Sequence, residues 1–403
     1  MRIIHTADWH LGQNFYEYER SMEHRLFLDW LAKTIEETRT DVLLIAGDIF
    51  DTPNPSAAAQ KMFYDFLRTV TFRCPQLKIV VTAGNHDSGA RLEAPSPILE
   101  SFNITIRGTV HRTGEGCIDF ENLIVPLSDD VCCLAVPYLR QGDYPVAESH
   151  SEGVGSLYSR LIEIASEKYP KIIVMGHLHA SGCILSTGDN SERTVIGGLD
   201  NVDISSIADK VNYVALGHLH KAQSILGKDN MRYSGAPLPM SFAERHNRQS
   251  VTLVTIENDS TTTRKLLFET PARLMSIPAE PQPLLQVLEA IEGLPLGTAD
   301  DFSPYLEIRV LVNGPEPTMR QQIEKAIEGR AVRLTRIEAV SQRGESTLEA
   351  PITYDELKRI DPMTLANDYY CRHYNQKEMP GTLRSLMQQV IKEIEESEDK
   401  QKN

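Results

Sequence analysis

The sequence predicts an α/β fold, because short apolar runs alternate with segments in which apolar residues recur at helical spacing. Five runs have the length of buried strands and end abruptly in polar residues; they cover residues 1–5, 41–46, 78–83, 171–175 and 211–216. Two segments between the first three runs have helical spacing, with Leu26, Phe27, Trp30, Leu31 and Ile35 in one and Met62, Phe63, Phe66, Leu67 and Val70 in the other. The chain therefore begins β-α-β-α-β. Ligands bind beyond the carboxyl ends of strands in such sheets, so we expect chemistry where the five runs end.

The first domain is predicted to cover residues 1–270. Residues 232–237 and the alternating stretch 250–256 indicate a closing antiparallel region. Prolines then become frequent, as expected where one domain passes into the next. They are Pro271, Pro278, Pro281 and Pro283.

Residues 271–343 are predicted to form a small α+β domain, with a helix over 284–292, a strand over 305–312, a helix over 319–327 and a strand over 332–334. Residues 344–403 are predicted to form a helical segment before a charged tail. One face of its last helix carries an apolar stripe of Leu383, Leu386, Met387, Val390, Ile391 and Ile394. The stripe fits either packing on the chain's own core or docking of a partner, and both interpretations stay open.

Composition limits the possible functions. The 403 residues contain 41 Lys and Arg against 56 Asp and Glu, a net charge of −15, which argues against a general polyanion-binding surface. The N-terminus lacks the pattern of a signal peptide, and no run reaches membrane-spanning length, so we predict a cytoplasmic protein without membrane contact. The six cysteines show no paired metal-type spacing, so reduced thiols are expected.

The polar residues at the five strand ends have the chemistry of a metal site. They supply oxygen and nitrogen ligands, which suit Mn²⁺, Fe²⁺ or Zn²⁺. Two Asp-x-His or His-x-His pairs place two side chains on one side of an extended segment, so the set fits two metals. Each motif taken singly is more often an ordinary loop turn, but all five in order would rarely arise that way. The set is Asp8, His10, Asp48, Asn85, His86, His177, His218 and His220.

The other histidines are weaker candidates. His179 repeats the spacing of the His218 pair, but spacing is its only support. His5 lies within the first strand and is interpreted as a core group or a group behind the ligands. The remaining five are interpreted as surface or structural residues: His24, His111, His150, His246 and His373.

The motifs resemble those of the calcineurin-like metallophosphoesterases, whose pattern runs D-x-H, G-D-x-x-D, G-N-H-[DE], G-H and G-H-x-H. Here the pattern stands at Asp8-Trp9-His10, Gly47-Asp48-Ile49-Phe50-Asp51, Gly84-Asn85-His86-Asp87, Gly176-His177 and Gly217-His218-Leu219-His220. The resemblance covers residues 1–270 and implies a four-layer α/β/β/α sandwich. Within this superfamily, the stretches 5–12, 46–52, 216–221 and 233–237 are similar to the SbcD family, the nuclease subunits of bacterial SbcC–SbcD complexes.

This resemblance also implies roles for the site residues. One divalent ion, most simply Mn²⁺, takes Asp8, His10, Asp48 and His220, and a second takes Asp48, Asn85, His177 and His218. His86 remains outside the ligand shell as a general acid, and Asp51 is a candidate to orient its ring. Two ions against two carboxylates leave a formal surplus of +2 facing a phosphodiester.

The function implied is a Mn²⁺-dependent DNA nuclease that works in DNA repair, recombination and replication. The expected actions are ATP-dependent 3′→5′ digestion of duplex ends and endonuclease cutting of hairpins and single strands. The capping domain would help to select DNA shape. The helical segment would bind an SbcC-like SMC-type ATPase, with a homodimer inside a heterotetramer.

Two alternatives remain at this point. The first is a phosphomonoesterase or small-molecule phosphodiesterase with the same metals, and the second is a non-catalytic scaffold. Against the first, Thr52-Pro53 stands where phosphoprotein phosphatases place Arg-Gly; against the second, no ligand is missing. The acidic charge is in tension with DNA binding. Candidate local phosphate contacts are Arg20, Arg25, Arg91, Lys221 and Arg245.

Overall fold

The computed structural model describes residues 1–184, 201–258, 260–312, 314, 316–341 and scattered positions between 363 and 387. The described residues up to Ser341 form one compact unit, and those beyond 343 belong to a second unit. Most of the predicted helical segment, 344–403, therefore lies outside the described residues. Within it, residues 383–387 are helical, and Leu383 and Leu386 are exposed.

Seventeen strands run through the described part of the first unit. In chain order they are β1 (Arg2–Thr6), β2 (Asn14–Phe15), β3 (Tyr18–Glu19), β4 (Val42–Ala46), β5 (Lys78–Thr82), β6 (Ile104–Arg107), β7 (Ile124–Pro126), β8 (Val131–Ala135), β9 (Lys171–His177), β10 (Tyr213–Gly217), β11 (Gln223–Ile225), β12 (Lys228–Tyr233), β13 (Ser250–Glu257), β14 (Ser260–Leu267), β15 (Leu274–Gln282), β16 (Tyr305–Val312) and β17 (Arg333–Ser341).

Eight α-helices connect these strands among the same described residues. They are α1 (Ser21–Thr38), α2 (Ala57–Arg73), α3 (Gly89–Glu93), α4 (Ser96–Leu99), α5 (His150–Ser166), α6 (Ser205–Ala208), α7 (Leu284–Glu292) and α8 (Met319–Ile327). The long helices α2 and α5 begin with a capping serine. The hydroxyl oxygens of Ser56 and Ser149 accept hydrogen bonds from backbone N–H groups three residues on, at 3.2 Å in each case.

Two six-stranded sheets form the centre of the molecule. The first has the order β14-β13-β1-β4-β5-β6, and the second has the order β11-β12-β10-β9-β8-β7. In both sheets the inner strands are parallel, and antiparallel pairing occurs towards the edges. The carboxyl ends of the parallel strands therefore meet at one edge of each sheet.

The strands are continuously apolar because both of their faces are buried. In β4, Leu43 and Ile45 pack with α1 and α2, whereas Leu44 and Ala46 pack against the second sheet. Helix α5 covers the outer face of the second sheet through Leu157 and Leu161 among others. The result is the predicted α/β/β/α order of layers, and the five predicted strands are confirmed as β1, β4, β5, β9 and β10.

Two details differ from the sequence interpretation. β12 was expected in an antiparallel region, but it pairs parallel to β10 and antiparallel to β11. In residues 271–343 the strands β15, β16 and β17 are all parallel and alternate with α7 and α8, which is an α/β rather than an α+β arrangement. The periodicity missed β15 because Pro278 and Pro281 interrupt it.

Candidate metal centre

The loops after five parallel strands converge on the edge where the two sheets face each other. Backbone hydrogen bonds join the loops of the first sheet, from the amide of Asp8 to Gly47 O and from the amide of His10 to Asp48 O, both at 3.0 Å. Asp8, His10, Asp48 and His218 all have positive φ, at 56°, 45°, 50° and 107°. Non-glycine residues rarely adopt this conformation, and such strain concentrates at functional sites.

Asp48 lies near the middle of the group. Its Oδ2 is 3.3 Å from Nε2 of His177 and 3.7 Å from Nε2 of His10. The amide oxygen of Asn85 is 3.0 Å from Nε2 of His177 and 3.1 Å from Nδ1 of His218. Side chains from both sheets therefore meet around one carboxylate.

Two groups of three side chains have the spacing of a metal site. Within each group, the possible ligand atoms all lie within 4.8 Å of one another. One set is Asp8, Asp48 and His177, and the other is His10, Asp48 and His86. His86 is thus near enough to His10 and Asp48 to act as a ligand as well as an acid. Asp48 is common to both sets, in keeping with its predicted bridging role.

The residues present fit divalent ions. Asp8 and His10 are 0% and 3% exposed, yet Asp8 Oδ2 and His10 Nε2 have no hydrogen-bond partner among the described residues. Buried polar atoms are normally paired, and leaving them unpaired is costly. A bound cation would satisfy both atoms, and the donor set of carboxylate, amide and imidazole suits Mn²⁺, Fe²⁺ or Zn²⁺.

The proton affinities of these groups reflect their burial and mutual charge. Burial raises the pKa of Asp8 to about 7. Burial also acts to raise the pKa of Asp48, but the facing His177 outweighs it and lowers that pKa below its usual range. His177 shows the converse, since its burial is outweighed by Asp48 and its pKa rises to about 9. His177 and Asp48 thus each favour the charged form of the other.

Main-chain groups orient several rings. Nδ1 of His177 donates to Ala46 O at 2.9 Å, which turns Nε2 towards Asp48 and Asn85. Nδ1 of His86 donates to the carbonyl oxygen of Asp51 at 2.8 Å, and the His86 amide donates to Oδ1 of Asp48 at 2.8 Å. The Asp51 carboxylate instead lies 3.4 Å from Nδ1 of His10. Asp51 therefore contacts the His86 ring through its main chain and not through its side chain.

Three groups near the centre were not singled out from the sequence. Asp87 accepts hydrogen bonds from the amides of Ile49, Phe50 and Gly84 at 3.1, 3.0 and 2.9 Å, and so joins the loops after β4 and β5. Its place in the Gly-Asn-His-Asp motif was an available signal. Glu244 lies 3.3 Å from Nδ1 of His220 and had no sequence signal.

The third group is Arg140 with Tyr138. The Tyr138 ring lies edge-on to His177 with centroids 6.2 Å apart, and the exposed Arg140 guanidinium lies 5.6 Å from the Tyr138 ring centroid. A positive charge is thus separated from His177 by one aromatic ring. The sequence motifs do not include Arg140, because it follows β8 and no predicted ligand stands at the end of that strand.

Other predicted residues lie elsewhere. Arg20 was a candidate phosphate contact, but it is 1% exposed and pairs with Glu23 at 3.1 Å, so it cannot contact DNA in this conformation. His179 lies beside His218, with ring centroids 6.3 Å apart, and its Nε2 is 3.4 Å from Sγ of Cys183. His5 is buried and bonded to the Tyr213 hydroxyl at 2.9 Å, as a core group should be.

The five predicted surface or structural histidines divide between buried and exposed positions. His24 is buried against Trp9 O at 3.1 Å, and His111 pairs with Glu93 at 3.0 Å. His150 contacts the Tyr144 hydroxyl at 2.9 Å, and His246 is exposed. His373 lies outside the described residues.

Comparison with known proteins identifies the family to which this chain belongs. Residues 1–222 match the family described as calcineurin-like phosphoesterase, and residues 271–374 match the type 5 capsule protein repressor C-terminal domain. The SbcD subunit of the SbcCD nuclease of Rhodobacter capsulatus is 34% identical over 91% of this chain and 93% of its own length. The chain belongs to the SbcD family of calcineurin-like phosphoesterases.

Two further SbcD-family relatives agree with this assignment. The SbcD proteins of Escherichia coli K12 and Bacillus subtilis are each 34% identical, covering 64% and 63% of this chain and 66% of their own lengths. The five strand-end motifs that carried the resemblance all lie within the phosphoesterase match. Among the described residues, no helix has the length and apolar character needed to cross a bilayer.

Proposed function

We propose that this chain is the Mn²⁺-dependent DNA nuclease subunit of an SbcC–SbcD-type complex. The observation that supports this most strongly is the convergence of six further predicted ligands from two sheets around Asp48, in a chain of the SbcD family. One ion would be held by Asp8, His10, Asp48 and His220, and the other by Asp48, Asn85, His177 and His218. Bound there, the ions supply positive charge for holding a phosphodiester and activating the attacking water.

The chain's own residues supply the remaining chemistry. The Asp51 carbonyl fixes the His86 ring through Nδ1, so Nε2 is the nitrogen that faces the substrate, and in the imidazolium form it would give its proton to the leaving oxygen. His86 and Asn85 are only partly buried, whereas Asp8 and Asp48 are buried. The partly buried side of the centre is therefore where a phosphodiester would enter. This arrangement supports His86 as general acid and Asp51 as its orienting residue through the main chain.

A DNA substrate needs cations close to the centre, because phosphate contacts dominate the affinity of most DNA-binding proteins. Arg140 meets this requirement better than Arg20, which is buried. Tyr138 connects it to the centre, since the Tyr138 ring contacts both the Arg140 guanidinium and the His177 ring. We therefore assign Arg140 a contact to a phosphate of the bound DNA.

The partner is an SbcC-like SMC-type ATPase, and the C-terminal segment is its docking element. Leu383 and Leu386 are exposed, as expected for an apolar stripe that a partner covers. With the ATPase we expect a heterotetramer built on a homodimer of this chain, cytoplasmic location and roles in DNA repair, recombination and replication. The expected reactions are ATP-dependent 3′→5′ digestion of duplex ends and cutting of hairpins and single strands.

The decisive experiment measures nucleotide release from linear duplex DNA with Mn²⁺, with and without the ATPase and ATP. Aryl phosphate mono- and diesters serve as small-molecule substrates, and Asp48→Asn is the inactive control. Release that increases with ATPase and ATP supports the proposal. Turnover of aryl esters without DNA cleavage would identify a small-molecule phosphoesterase instead, and no turnover of any substrate would identify a scaffold.

Truncation near residue 343 tests the docking element separately. The shortened chain should still cut short single-stranded DNA with Mn²⁺, because the centre lies wholly before residue 270. It should no longer co-purify with the ATPase or cut duplex ends in an ATP-dependent manner. A truncated chain that still forms the complex would contradict the docking assignment.

A further inference from the structure

Glu244 is a buried carboxylate in contact with a predicted metal ligand. It is 1% exposed, and its Oε1 lies 3.3 Å from Nδ1 of His220, which is itself 6% exposed. The two nitrogens of an imidazole ring point in different directions. When a carboxylate holds Nδ1, the ring orientation is fixed and Nε2 is the nitrogen available to a metal ion.

The His220 ring faces one half of the centre. It lies edge-on to the ring of His10, with centroids 5.3 Å apart. His10 in turn approaches Asp48 through Nε2 at 3.7 Å. Any change in the orientation of His220 should therefore affect the ion assigned to Asp8 and His10 more than the ion assigned to Asn85 and His177.

Glu244 is carried by a single 3-10 turn, Phe242–Glu244. The turn is closed by hydrogen bonds from the Glu244 amide to Ser241 O at 3.1 Å and from the Asn247 amide to Glu244 O at 2.8 Å. With three residues per turn, residues two apart point to different sides. Phe242 and Glu244 can therefore both be buried while contacting different parts of the molecule.

Phe242 contacts the small C-terminal α/β domain, residues 271–341, called the cap below. It is 3% exposed and belongs to one apolar cluster with Phe15 and with Ala272 and Tyr305 of the cap. The Phe242 and Phe15 ring centroids are 5.5 Å apart, and the guanidinium of Arg336 in the cap lies 5.9 Å from the Phe242 centroid. The turn is thus packed between the cap and His220.

A second connection holds the chain just before the turn. The buried Arg20 donates to Pro239 O at 2.7 Å and pairs with Glu23. Glu23 accepts a hydrogen bond from the Tyr305 hydroxyl of the cap. The segment that leads into the Phe242–Glu244 turn is therefore connected to the same cap residue that lies in the apolar cluster.

We propose that Glu244 positions His220 for metal binding, and that packing of Phe242 against the cap holds Glu244 in place. The proposal rests on the metal centre of the proposed function. It makes Glu244 a positioning residue and gives the cap a part in building the centre, besides its expected part in contacting DNA. His220 comes from the loop after β10 and Glu244 from a turn before β13, so the tertiary fold brings them together.

The test is titration of the metal-free full-length chain with Mn²⁺ by calorimetry, with each binding event fitted separately. Wild-type protein should bind two ions. Glu244→Ala should lower the affinity for one Mn²⁺ ion by about 10–100-fold, the usual effect of removing a carboxylate that bonds to a histidine ligand. The affinity for the other ion should stay nearly unchanged. Glu244→Gln keeps an oxygen that can accept a hydrogen bond from Nδ1 of His220, so this variant should lose less Mn²⁺ affinity than Glu244→Ala.

Phe242 variants test the contribution of the cap. Phe242→Ala should weaken the same ion as Glu244→Ala, by a smaller factor, and Phe242→Leu should restore most of the affinity because it keeps much of the apolar volume. Glu257→Ala is the matched control, since Glu257 is exposed at the end of β13. It should leave both affinities unchanged.

A double variant separates positioning from general destabilisation. If Glu244 acts through His220, Glu244→Ala should cause no further loss of Mn²⁺ affinity when His220 is already alanine. A further loss there, or wild-type affinity for both ions in Glu244→Ala, overturns the proposal. If Glu244→Ala does not fold, as judged by the melting of the metal-free protein, the Glu244→Gln result decides in the same way. Wild-type protein that binds no ion would instead overturn the metal centre itself.

Discussion

The two sheets contribute different chemistry to the candidate centre. The first sheet supplies both carboxylates, the amide and the imidazole of His10 through the loops after β1, β4 and β5. The second sheet supplies imidazoles through β9 and the loop after β10. Each of the two proposed sets of four ligands includes residues of both sheets. The proposed centre therefore depends on the packing of one sheet against the other, and its metal affinity should report on that packing.

The contact between the sheets is close at this edge. Ala46 O, at the end of β4, accepts a hydrogen bond from the His177 ring of β9. Gly217, at the end of β10, leaves room for the same carbonyl, since a Cβ there would lie 1.9 Å from Ala46 O. The apolar layer between the sheets begins next to this point with Ala7, Ala46 and Ala215. Small residues thus allow the ligand loops to approach.

Removing the shared carboxylate should have the largest effect. Asp48→Asn is expected to abolish DNA cleavage and lower the metal content, because Asp48 is the residue assigned to both ions. Elemental analysis of the purified variant and a nuclease assay measure the two effects. Two ions retained per chain with unchanged turnover would show that Asp48 does not bridge.

His86 comes from the same sheet as Asp48 but is assigned to chemistry. His86→Gln should retain both ions and DNA binding and lose roughly 10²–10⁴-fold in cleavage rate, as expected for a lost general acid. The comparison with Asp48→Asn separates catalysis from ligation within one sheet. Loss of metal in His86→Gln would move His86 into the ligand shell, beside His10 and Asp48.

The second sheet should give the metal-free protein a distinctive pH dependence. The pKa of His177 is raised from 6.5 to about 9, with burial opposing the shift and Asp48 causing it. When the pKa of a group is higher in the folded than in the unfolded protein, its proton stabilises the folded state, and the full effect is present at pH values below the unfolded pKa. For His177 this stabilisation should therefore be lost as the pH rises from 6.5 to about 9. At 1.4 kcal/mol per pKa unit the loss is roughly 3 kcal/mol.

Denaturant unfolding of chelator-treated protein at several pH values measures this loss. His177→Gln should show a much flatter dependence over the same range. Saturating Mn²⁺ should also flatten it, because the ion replaces the proton between His177 and Asp48. If the free energy of unfolding changes equally with pH in the wild type and in His177→Gln, His177 does not hold this proton.

A smaller effect is expected from crowding the sheets. Gly217→Ala should destabilise the protein by about 1–3 kcal/mol, the usual cost of overpacking, because its methyl group would meet Ala46 O. Gly155→Ala in α5 is the control, since no atom lies within 4 Å of its added Cβ. That change should stabilise by about 0.5–1 kcal/mol. Equal melting temperatures for the two variants would contradict the close approach of the sheets.

The sequence predicted the strands that carry the ligands because those strands are buried on both faces and hence continuously apolar. It also marked the candidate ligands, since each stands at or just after the end of its strand, and their binding of metal stays a prediction. It could not divide the strands between two sheets, because periodicity identifies a strand and not its neighbour. The burial of Arg20 was invisible for a related reason, since its partner Pro239 O lies 219 residues away in the chain.

Local patterns also failed where function depends on the main chain or on a distant turn. Asp51 was predicted as a candidate to orient the His86 ring, and the contact between them uses the Asp51 carbonyl, a group that every residue has and that no pattern of residue types can mark. Glu244 stands 24 residues after His220 in a stretch without motifs. The parallel strand β15 was missed because its prolines hide its periodicity.

The most direct test of the central claim is an anomalous difference map from crystals grown with Mn²⁺, recorded at the manganese absorption edge. Two peaks should lie about 3.5–4 Å apart on either side of Asp48. One should contact Asp8, His10 and His220 from both sheets, and the other should contact Asn85, His177 and His218. A single peak at saturating Mn²⁺, or two peaks bound by residues of one sheet, would contradict the account.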